Sequence, residues 1–213
     1  MASLVHRISN EDLLFQELTQ HGPATFSAEP MTDEAFIAYC EQHEGFPIET
    51  SAEGDIIIMP PAGTTTGYQN FDLVTQVGMW VRRTKRGRGF DSSTLFTLPN
   101  GARRSPDCAY VVNERIAALA SNTRRIFWPI CPDFVVELRS QTDRRRRLEA
   151  KMEEYMRNGA KLGWLIDSQE RLVTIYRPRR KPETLVEPKV IEGEGPVVGL
   201  KVKTRELWWN PGL

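Results

Sequence analysis

The chain has 213 residues, of which 40% are hydrophobic and 26% charged, a balance typical of one globular domain with a sizeable core. Its 28 basic and 28 acidic residues cancel, so the net charge neither favours nor excludes an anionic partner. The sequence contains no run of about 18 apolar residues, so no membrane-spanning helix is predicted. The first 30 residues lack the apolar core of a signal peptide. We therefore expect a cytoplasmic protein. The three cysteines lack the spacing of a zinc site or a disulfide framework.

The first half of the chain predicts helices and a β-hairpin behind a polar N-terminal segment. We expect residues 1–30 to be peripheral, with a short helix over 11–18. The elements predicted next are a helix over 32–42, two strands over 46–51 and 55–59 that form a hairpin, and a helix from Thr65 or Thr66 to Arg83. Leu73, Val77 and Trp80 recur in this last helix at the spacing of a buried face.

The second half alternates strands and helices. Gly87 and Gly89 predict a break before a strand. The elements predicted after the break are a strand over 93–98, a strand containing Asp107, a helix over 113–120, a strand within 132–140, a helix over 143–157 closed by Asn158 and Gly159, and a hairpin of strands over 162–167 and 171–177. We expect a loop or one more strand in 178–195, and a short strand or turn in 200–208. The pattern predicts a mixed β-sheet flanked by helices, of the α/β or α+β class, forming one domain over 31–213.

Two carboxylates stand out because they lie inside runs of β-branched and aromatic residues. Asp107 precedes Cys-Ala-Tyr-Val-Val, and Glu137 follows Phe-Val-Val. A buried carboxylate is unfavourable unless a metal ion, an ammonium group or hydrogen-bond donors compensate its charge. Two of them, with the carbonyl that follows one, suit Mg²⁺ or Mn²⁺, which prefer oxygen ligands. This pair predicts metal-assisted hydrolysis of a phosphodiester.

A lysine on the next predicted helix completes the set. Leu148, Lys151 and Tyr155 are spaced by three and four residues, so they share a face of the helix. Lys151 lies at the edge of the face that packs on the sheet, and its ammonium can reach back toward the carboxylates. Each residue alone also has an ordinary interpretation: Asp107 opens a strand or turn, Glu137 pairs with Arg139 or with a basic residue elsewhere, and Lys151 is a solvated helix lysine.

Basic residues cluster on both sides of the carboxylate strands. Arg103 and Arg104 precede Asp107, and Arg144 and Arg145 follow Glu137. A basic cluster is most often a solvated face, but this placement favours contacts with nucleic-acid phosphates, and with DNA in particular. All three histidines precede the first predicted hairpin, which disfavours a Ser-His-Asp triad. No phosphate loop or dinucleotide fingerprint occurs, so we expect no nucleotide cofactor.

These segments resemble a known family. The residues that carry the likeness are the segments 46–49, 54–57, 105–111, 132–140 and 163–167, with Asp143, Lys151, Tyr155 and Gly159. Together they are similar to the Uma-type restriction endonuclease family, within the PD-(D/E)XK nuclease superfamily. The resemblance covers about 31–208 and implies a restriction-endonuclease-like fold, with Asp107 and Glu137 as metal ligands and Lys151 as the catalytic lysine. It also implies action on DNA as a homodimer, for which Trp208 and Trp209, if exposed, are candidate contacts.

The chain departs from the superfamily at one position. Arg139 stands two residues after Glu137, where a typical nuclease of this superfamily has lysine. The resemblance implies that the lysine has moved to the following helix as Lys151, although Arg139 could take the charge-stabilising role. Its high pKa makes Arg139 a poor proton donor or acceptor. Glu49 and Tyr155 are secondary candidates for the site.

Three functional hypotheses follow from the sequence. The first is a Mg²⁺-dependent endonuclease that uses Asp107, Glu137 and Lys151. The second is a nucleic-acid-binding or regulatory module that keeps the fold without cutting. The third is a structural or interaction domain in which the same three residues form a buried ionic network.

Overall fold

A computed structural model describes residues 22–120 and 126–210. The helices are α1 (Asp33–Gln42), α2 (Thr64–Thr84), α3 (Asn113–Ala120) and α4 (Arg145–Arg157). The strands are β1 (Ala24–Phe26), β2 (Ile48–Thr50), β3 (Ile56–Ile58), β4 (Gly87–Asp91), β5 (Phe96–Thr97), β6 (Arg103–Arg104), β7 (Cys108–Val112), β8 (Phe134–Arg139), β9 (Leu162–Asp167), β10 (Leu172–Tyr176), β11 (Glu183–Val186), β12 (Val190–Glu192) and β13 (Lys201–Lys203). The helix expected over 11–18 lies outside the described residues. Within the described ranges, no helix has both the length and the apolar character needed to cross a membrane.

The larger sheet has six strands in the order β11-β10-β9-β8-β7-β4. Its strands pair antiparallel except β8 and β9, which run parallel and are connected through α4. Such a pair needs a crossover, and a helix supplies it by covering one face of the sheet. The mixed sheet flanked by helices is therefore confirmed.

The smaller sheet has five strands in the order β1-β3-β2-β6-β5. The segment 105–107 connects its strand β6 directly to β7, so the two sheets meet next to Asp107. Strand β1 pairs antiparallel with β3. Residues 24–26, within the segment expected to be peripheral, therefore form an edge strand of this sheet.

The two faces of β8 bury different side chains, as its alternation predicts. Phe134, Val136 and Leu138 pack in a core that includes Leu73, Val77 and Trp80 of α2. Val135 packs on the opposite side, in a core that includes Leu148, Met152 and Tyr155 of α4. Cys108 and Cys131 are buried in these cores, as expected of small apolar side chains. Glu137 follows the alternation of Val135 and therefore lies on the α4 side of the sheet.

Several predicted boundaries shift in the structure. The expected break at Gly87 is wrong, since residues 87–91 form strand β4, and the strand expected over 93–98 is reduced to Phe96–Thr97. Helix α4 begins at Arg145, and Gly159 after it has a positive φ of 106°, in keeping with the predicted cap. The stretch 178–195 contains two short strands, β11 and β12.

Position 87 in strand β4 requires glycine, because the neighbouring strand β7 leaves no room for a side chain. A Cβ atom at Gly87 would lie 2.2 Å from the Val111 carbonyl oxygen and 2.6 Å from the Tyr110 ring. Gly89 in the same strand differs, since a Cβ atom there would lie 3.5 Å from Val81 and make ordinary contacts. Glycine in a strand often marks such a close approach of two backbones.

We predict that Gly87→Ala lowers the free energy of unfolding by roughly 1–3 kcal/mol, because the new methyl group overlaps backbone atoms that cannot move aside. Gly89→Ala is the matched control and should change it by less than about 0.5 kcal/mol, with restricted unfolded-chain entropy offsetting the contact. Urea unfolding of both variants measures the difference. Equal stabilities for the two variants would contradict the account of β4.

Candidate active site

The strand register brings the two predicted carboxylates together. Strands β7 and β8 pair antiparallel with Cys108 opposite Val136. Continuing this register by one residue places Asp107 opposite Glu137, and directly opposed residues have Cβ atoms about 4.5–5.5 Å apart on the same face. The backbone N–H of Leu138 also donates to Oδ2 of Asp107 over 2.7 Å. The two carboxylates therefore form one site at the end of β8.

Lys151 lies between two glutamates from different sheets. Its Nζ is 2.9 Å from Oε1 of Glu137 on β8 and 2.8 Å from Oε1 of Glu49 on β2. Leu148, Met152 and Tyr155 hold α4 against the sheet by burying their side chains. Lys151 lies on the flank of this apolar face, so its stem runs inward and its ammonium group meets the carboxylates. Lys151 therefore reaches the Glu137 carboxylate, as its helical spacing predicts.

Glu49 is saturated with donors. Besides its contact with Lys151, Glu49 accepts a hydrogen bond from the Ser105 backbone N–H over 2.8 Å. It also forms an ion pair with Arg104 over 3.2 Å. Arg104 also donates from Nε to Glu154 on α4 over 2.6 Å. Glu49 therefore acts as a fixed partner that orients Lys151 and Arg104, and its oxygens are occupied inside the protein.

Tyr155 also contacts Glu137. Its buried hydroxyl donates to Oε1 of Glu137 over 2.9 Å, so this oxygen accepts from both Tyr155 and Lys151. Burial raises the pKa of Tyr155 well above its ordinary value, and the negative charges of Glu137 and Glu49 add to the effect. The phenol is therefore a stable hydrogen-bond donor that fixes the orientation of the carboxylate.

The charged forms of Glu137 and Asp107 are unfavourable in this site, because burial raises their pKa values. Burial raises the pKa of Glu137 to about 8, with Lys151 opposing the rise and Asp107 and Glu49 adding to it. Burial likewise raises the pKa of Asp107 to about 6, against the Leu138 hydrogen bond and Lys151. Glu49 differs: burial acts to raise its pKa, but Lys151 and Arg104 outweigh it and leave the pKa below the ordinary value.

Lys151 stays charged. Burial acts to lower the pKa of its ammonium group, but the charges of Glu137 and Glu49 outweigh burial, so the pKa lies above its ordinary value. At neutral pH the side chain is therefore a cation, and it offers N–H donors and no lone pair.

The donor set fits a hard divalent cation. One oxygen of each carboxylate, Oδ1 of Asp107 and Oε2 of Glu137, makes no hydrogen bond or ion pair with any described residue. Neither oxygen is fully buried, so both keep some solvent-accessible surface. The described ranges contain no group of three or more His, Cys, Asp or Glu side chains arranged for a metal. Mg²⁺ fits two carboxylates because a main-chain carbonyl and water can complete its shell.

Arg139 points away from the carboxylates. Its Nη1 donates to Asp167 over 2.8 Å, and its Nε donates to the Asp143 carbonyl over 3.2 Å. Glu137 is therefore the ion-pair partner of a basic residue elsewhere, Lys151, and not of Arg139. Because β8 alternates, Arg139 shares the face of Glu137, but the pairing with Asp167 on β9 turns its guanidinium aside.

The predicted phosphate contacts of Arg103 and Arg104 do not fit the structure. Arg103 is 7% exposed, and its Nη2 donates to Asp33 over 2.8 Å and to the Met31 carbonyl. Arg104 is held by Glu49 and Glu154. Both guanidinium groups neutralise carboxylates inside the domain and are not available to a polyanion.

The other two predicted phosphate contacts lie at the start of α4. Arg144 is exposed at the N-cap position of the helix. Arg145 is partly buried and pairs with Glu149 one turn later. A contact between these side chains and nucleic acid stays a prediction.

Sequence reasoning missed several members of the site. Glu154 follows Lys151 by three residues and Arg147 precedes it by four, so helical spacing alone assigns all three to one side of α4. The ion pair of Glu154 with Arg104 joins two elements 50 residues apart. No local pattern predicts such a pair, because it depends on how the smaller sheet packs against α4.

Comparison with known proteins identifies relatives of this fold. The family described as "Uma2: Putative restriction endonuclease" matches residues 33–205. A crystal structure of a putative nuclease belonging to DUF820 from Anabaena variabilis superposes with a TM-score of 0.69 at 21% identity. The match covers 84% of this chain and 98% of that chain, and it establishes a shared fold. No curated protein matches the chain.

We predict that metal-free protein loses stability as the pH rises from about 4 to about 8. The raised pKa values of Asp107 and Glu137 mean that the folded protein keeps protons which the unfolded chain has released, so their contribution is complete near pH 4 and lost by about pH 8. Chemical unfolding in EDTA across this range should show a loss of roughly 2–4 kcal/mol. Glu137→Gln should remove most of the slope, whereas exposed Glu153→Gln should leave it intact; an unchanged slope in Glu137→Gln would contradict the assignment.

We also predict that the two acidic residues differ in their contribution to stability. Glu49→Ala should lower the free energy of unfolding by roughly 3–5 kcal/mol, because it leaves Arg104 and Lys151 without a shared partner. Asp107→Asn should not lower it and, in EDTA at pH 7, should raise it, because the amide oxygen still accepts from Leu138 and an unfavourable buried charge is removed. Thermal and urea unfolding of both variants test this, and comparable losses would show that Asp107 belongs to the structural network.

Proposed function

The chain belongs to the Uma2 family of putative restriction endonucleases, and we propose that it is a Mg²⁺-dependent endonuclease that hydrolyses phosphodiester bonds in DNA. The observation that supports this most is the position of the Lys151 ammonium group. It lies 2.9 Å from Glu137, the residue that the strand register sets opposite Asp107. Two carboxylates and one cation at the end of a central strand are a suitable set for phosphodiester chemistry.

The carboxylates would hold the metal ion. Asp107 and Glu137 each present one free oxygen, and the carbonyl of Leu138, which directly follows Glu137, is the expected third ligand. A bound Mg²⁺ would supply an activated water and polarise the phosphoryl oxygen. Tyr155 and Lys151 both bond to Oε1 of Glu137, so Oε2 is the oxygen left for the ion. Glu137 must release its proton before it can bind, so metal affinity should rise with pH.

Lys151 would act through its charge. The raised pKa of its ammonium group excludes a role as a general base at neutral pH. Held between Glu49 and Glu137, it would donate a hydrogen bond to the phosphate oxygen on which negative charge accumulates. Glu49 would keep the ammonium group in place through its own ion pair. This assigns binding and charge stabilisation to Lys151, and orientation to Glu49 and Tyr155.

The non-catalytic binding module is the second candidate. The observation that favours it is the pairing of Lys151 with two glutamates, which neutralises the ammonium group without any metal ion. In that case the site is a structural ionic network, and nucleic acid binds elsewhere on the same fold. Metal-dependent cleavage separates the two candidates.

A homodimer is the expected form of the enzyme on duplex DNA, because cutting both strands takes two sites. Trp209 is 44% exposed, and its ring lies against that of Tyr68 at a tilt of 56°, with ring centroids 4.8 Å apart. Trp208 is only partly exposed, because it packs against the core that contains Leu73, Val77 and Trp80. Trp209 therefore remains the one of the two tryptophans that is available for an intermolecular contact.

We predict metal-dependent cutting of plasmid or single-stranded DNA that stops in EDTA. Asp107→Asn and Lys151→Ala should each lower the rate by at least about 100-fold, since each removes a group that stabilises the transition state. Lys161→Ala, an exposed lysine just beyond α4, is the matched control and should cut at the wild-type rate. Cleavage that survives in Lys151→Ala but is lost in Arg139→Ala would move the cationic role to Arg139. No cleavage of any substrate with Mg²⁺ or Mn²⁺ would favour the binding module.

A further inference from the structure

One partly buried arginine beside the site lacks an anionic partner. Arg147 lies on α4 four residues before Lys151, so the two side chains share a face of the helix. Its Nη2 contacts only a weak acceptor, the Met59 sulfur, at 3.6 Å. Its Nη1 is buried and has no hydrogen-bond partner among the described residues. The guanidinium group therefore carries a donor that the fold itself leaves unused.

No neighbouring carboxylate forms an ion pair with the guanidinium group of Arg147. Glu49 is occupied by Lys151, Arg104 and the Ser105 N–H. Asp143, four residues before Arg147, accepts with Oδ2 from both the backbone N–H and the hydroxyl of Ser140, over 2.9 and 2.6 Å. Neither carboxylate pairs with Arg147, which forms no ion pair with a described residue.

The other arginines near the site show the contrast. Arg104 pairs with Glu49 and Glu154, and Arg139 pairs with Asp167. Arg147 is partly buried in the same region without such a pair. Burial lowers the pKa of its guanidinium, while Glu49, Asp143 and Glu137 oppose that effect and Arg104 adds to it. The side chain thus shares the electrostatic environment of the site but lacks a counter-ion there.

A buried donor on a charged group that has no partner is unfavourable, and a bound water, ion or ligand can complete its bonds. The guanidinium group suits phosphate because its planar N–H donors match two oxygens at once, and such charge-assisted bonds are strong. A divalent cation held by Asp107 and Glu137 would offset the repulsion between these carboxylates and a bound phosphate.

We propose that Arg147 is a substrate-binding residue whose partly exposed guanidinium group, released from Met59 by a side-chain movement, donates to a non-bridging oxygen of a nucleic-acid backbone phosphate at this site. The proposal rests on the proposed nuclease function and names a contact which that function does not require. Lys151 and Arg147 would then approach the backbone from consecutive turns of α4. Positions one turn apart on a helix are about 5–6 Å apart at their Cβ atoms, so both side chains can reach one phosphate or two neighbouring phosphates.

The test compares Arg147→Gln with Arg157→Gln. Both changes remove one positive charge from α4, but Arg157 is 69% exposed and only loosely paired with Glu153 at 3.7 Å. Binding of a fluorescent DNA duplex is measured by anisotropy in Ca²⁺ at several salt concentrations. Arg147→Gln should weaken binding roughly 10- to 100-fold and lower the salt slope by about one. Arg157→Gln should stay within about twofold of wild type, and Arg147→Lys should recover part of the loss.

Stability separates a binding role from a structural one. Because Arg147 makes no ion pair in the free protein, Arg147→Gln should melt at or above the wild-type temperature without DNA. A melting temperature several degrees lower would overturn the proposal, since Arg147 would then support the fold.

The failure of this proposal can be told from failure of the nuclease function. If wild type binds and cuts DNA while Arg147→Gln binds as Arg157→Gln does, the role of Arg147 alone is overturned. If wild type binds no DNA in any metal, both proposals fall together. If wild type binds without cutting and Arg147→Gln weakens that binding, the phosphate contact stands and the catalytic function falls.

Discussion

The ammonium group of Lys151, held between Glu49 and Glu137, is the interaction on which the site depends. It joins three parts of the fold, because Glu49 comes from the smaller sheet, Glu137 from the larger sheet, and Lys151 from the helix between β8 and β9. A nearly buried cation is tolerated only with such partners. The site therefore depends on α4, held against the sheet by its apolar face, to bring Lys151 to the place where the two sheets meet.

The same arrangement leaves groups that could bind a cation and groups that could bind an anion. Asp107 and Glu137 have raised pKa values, so a divalent cation would relieve the crowding of their charges. Arg147 offers an unused donor on the other side of Lys151. A site that is unfavourable when empty is expected where binding energy serves function, since stability and activity compete for the same residues. Glu49, which is fully bonded, supplies the rigid part.

Local sequence patterns predict the centre of the site but not its surroundings. Strand alternation and helical spacing are enough to bring Glu137, Lys151 and Tyr155 together, because neighbouring elements fix their geometry. The saturation of Glu49 and the internal pairing of Arg104 could not be predicted, since both depend on contacts between the two sheets. Gly87 was misjudged for a related reason: the close approach of Val111 that excludes a side chain is a tertiary contact. What sequence alone misses here is long-range pairing.

The most direct test of the central claim is anomalous X-ray diffraction at the manganese edge from crystals grown with Mn²⁺. The account predicts one strong peak in contact with Asp107 and Glu137, with Lys151 still paired to Glu49. No peak at this pair under saturating Mn²⁺, or a peak bound only by other residues, would contradict the assignment of a metal-dependent site to these two strands.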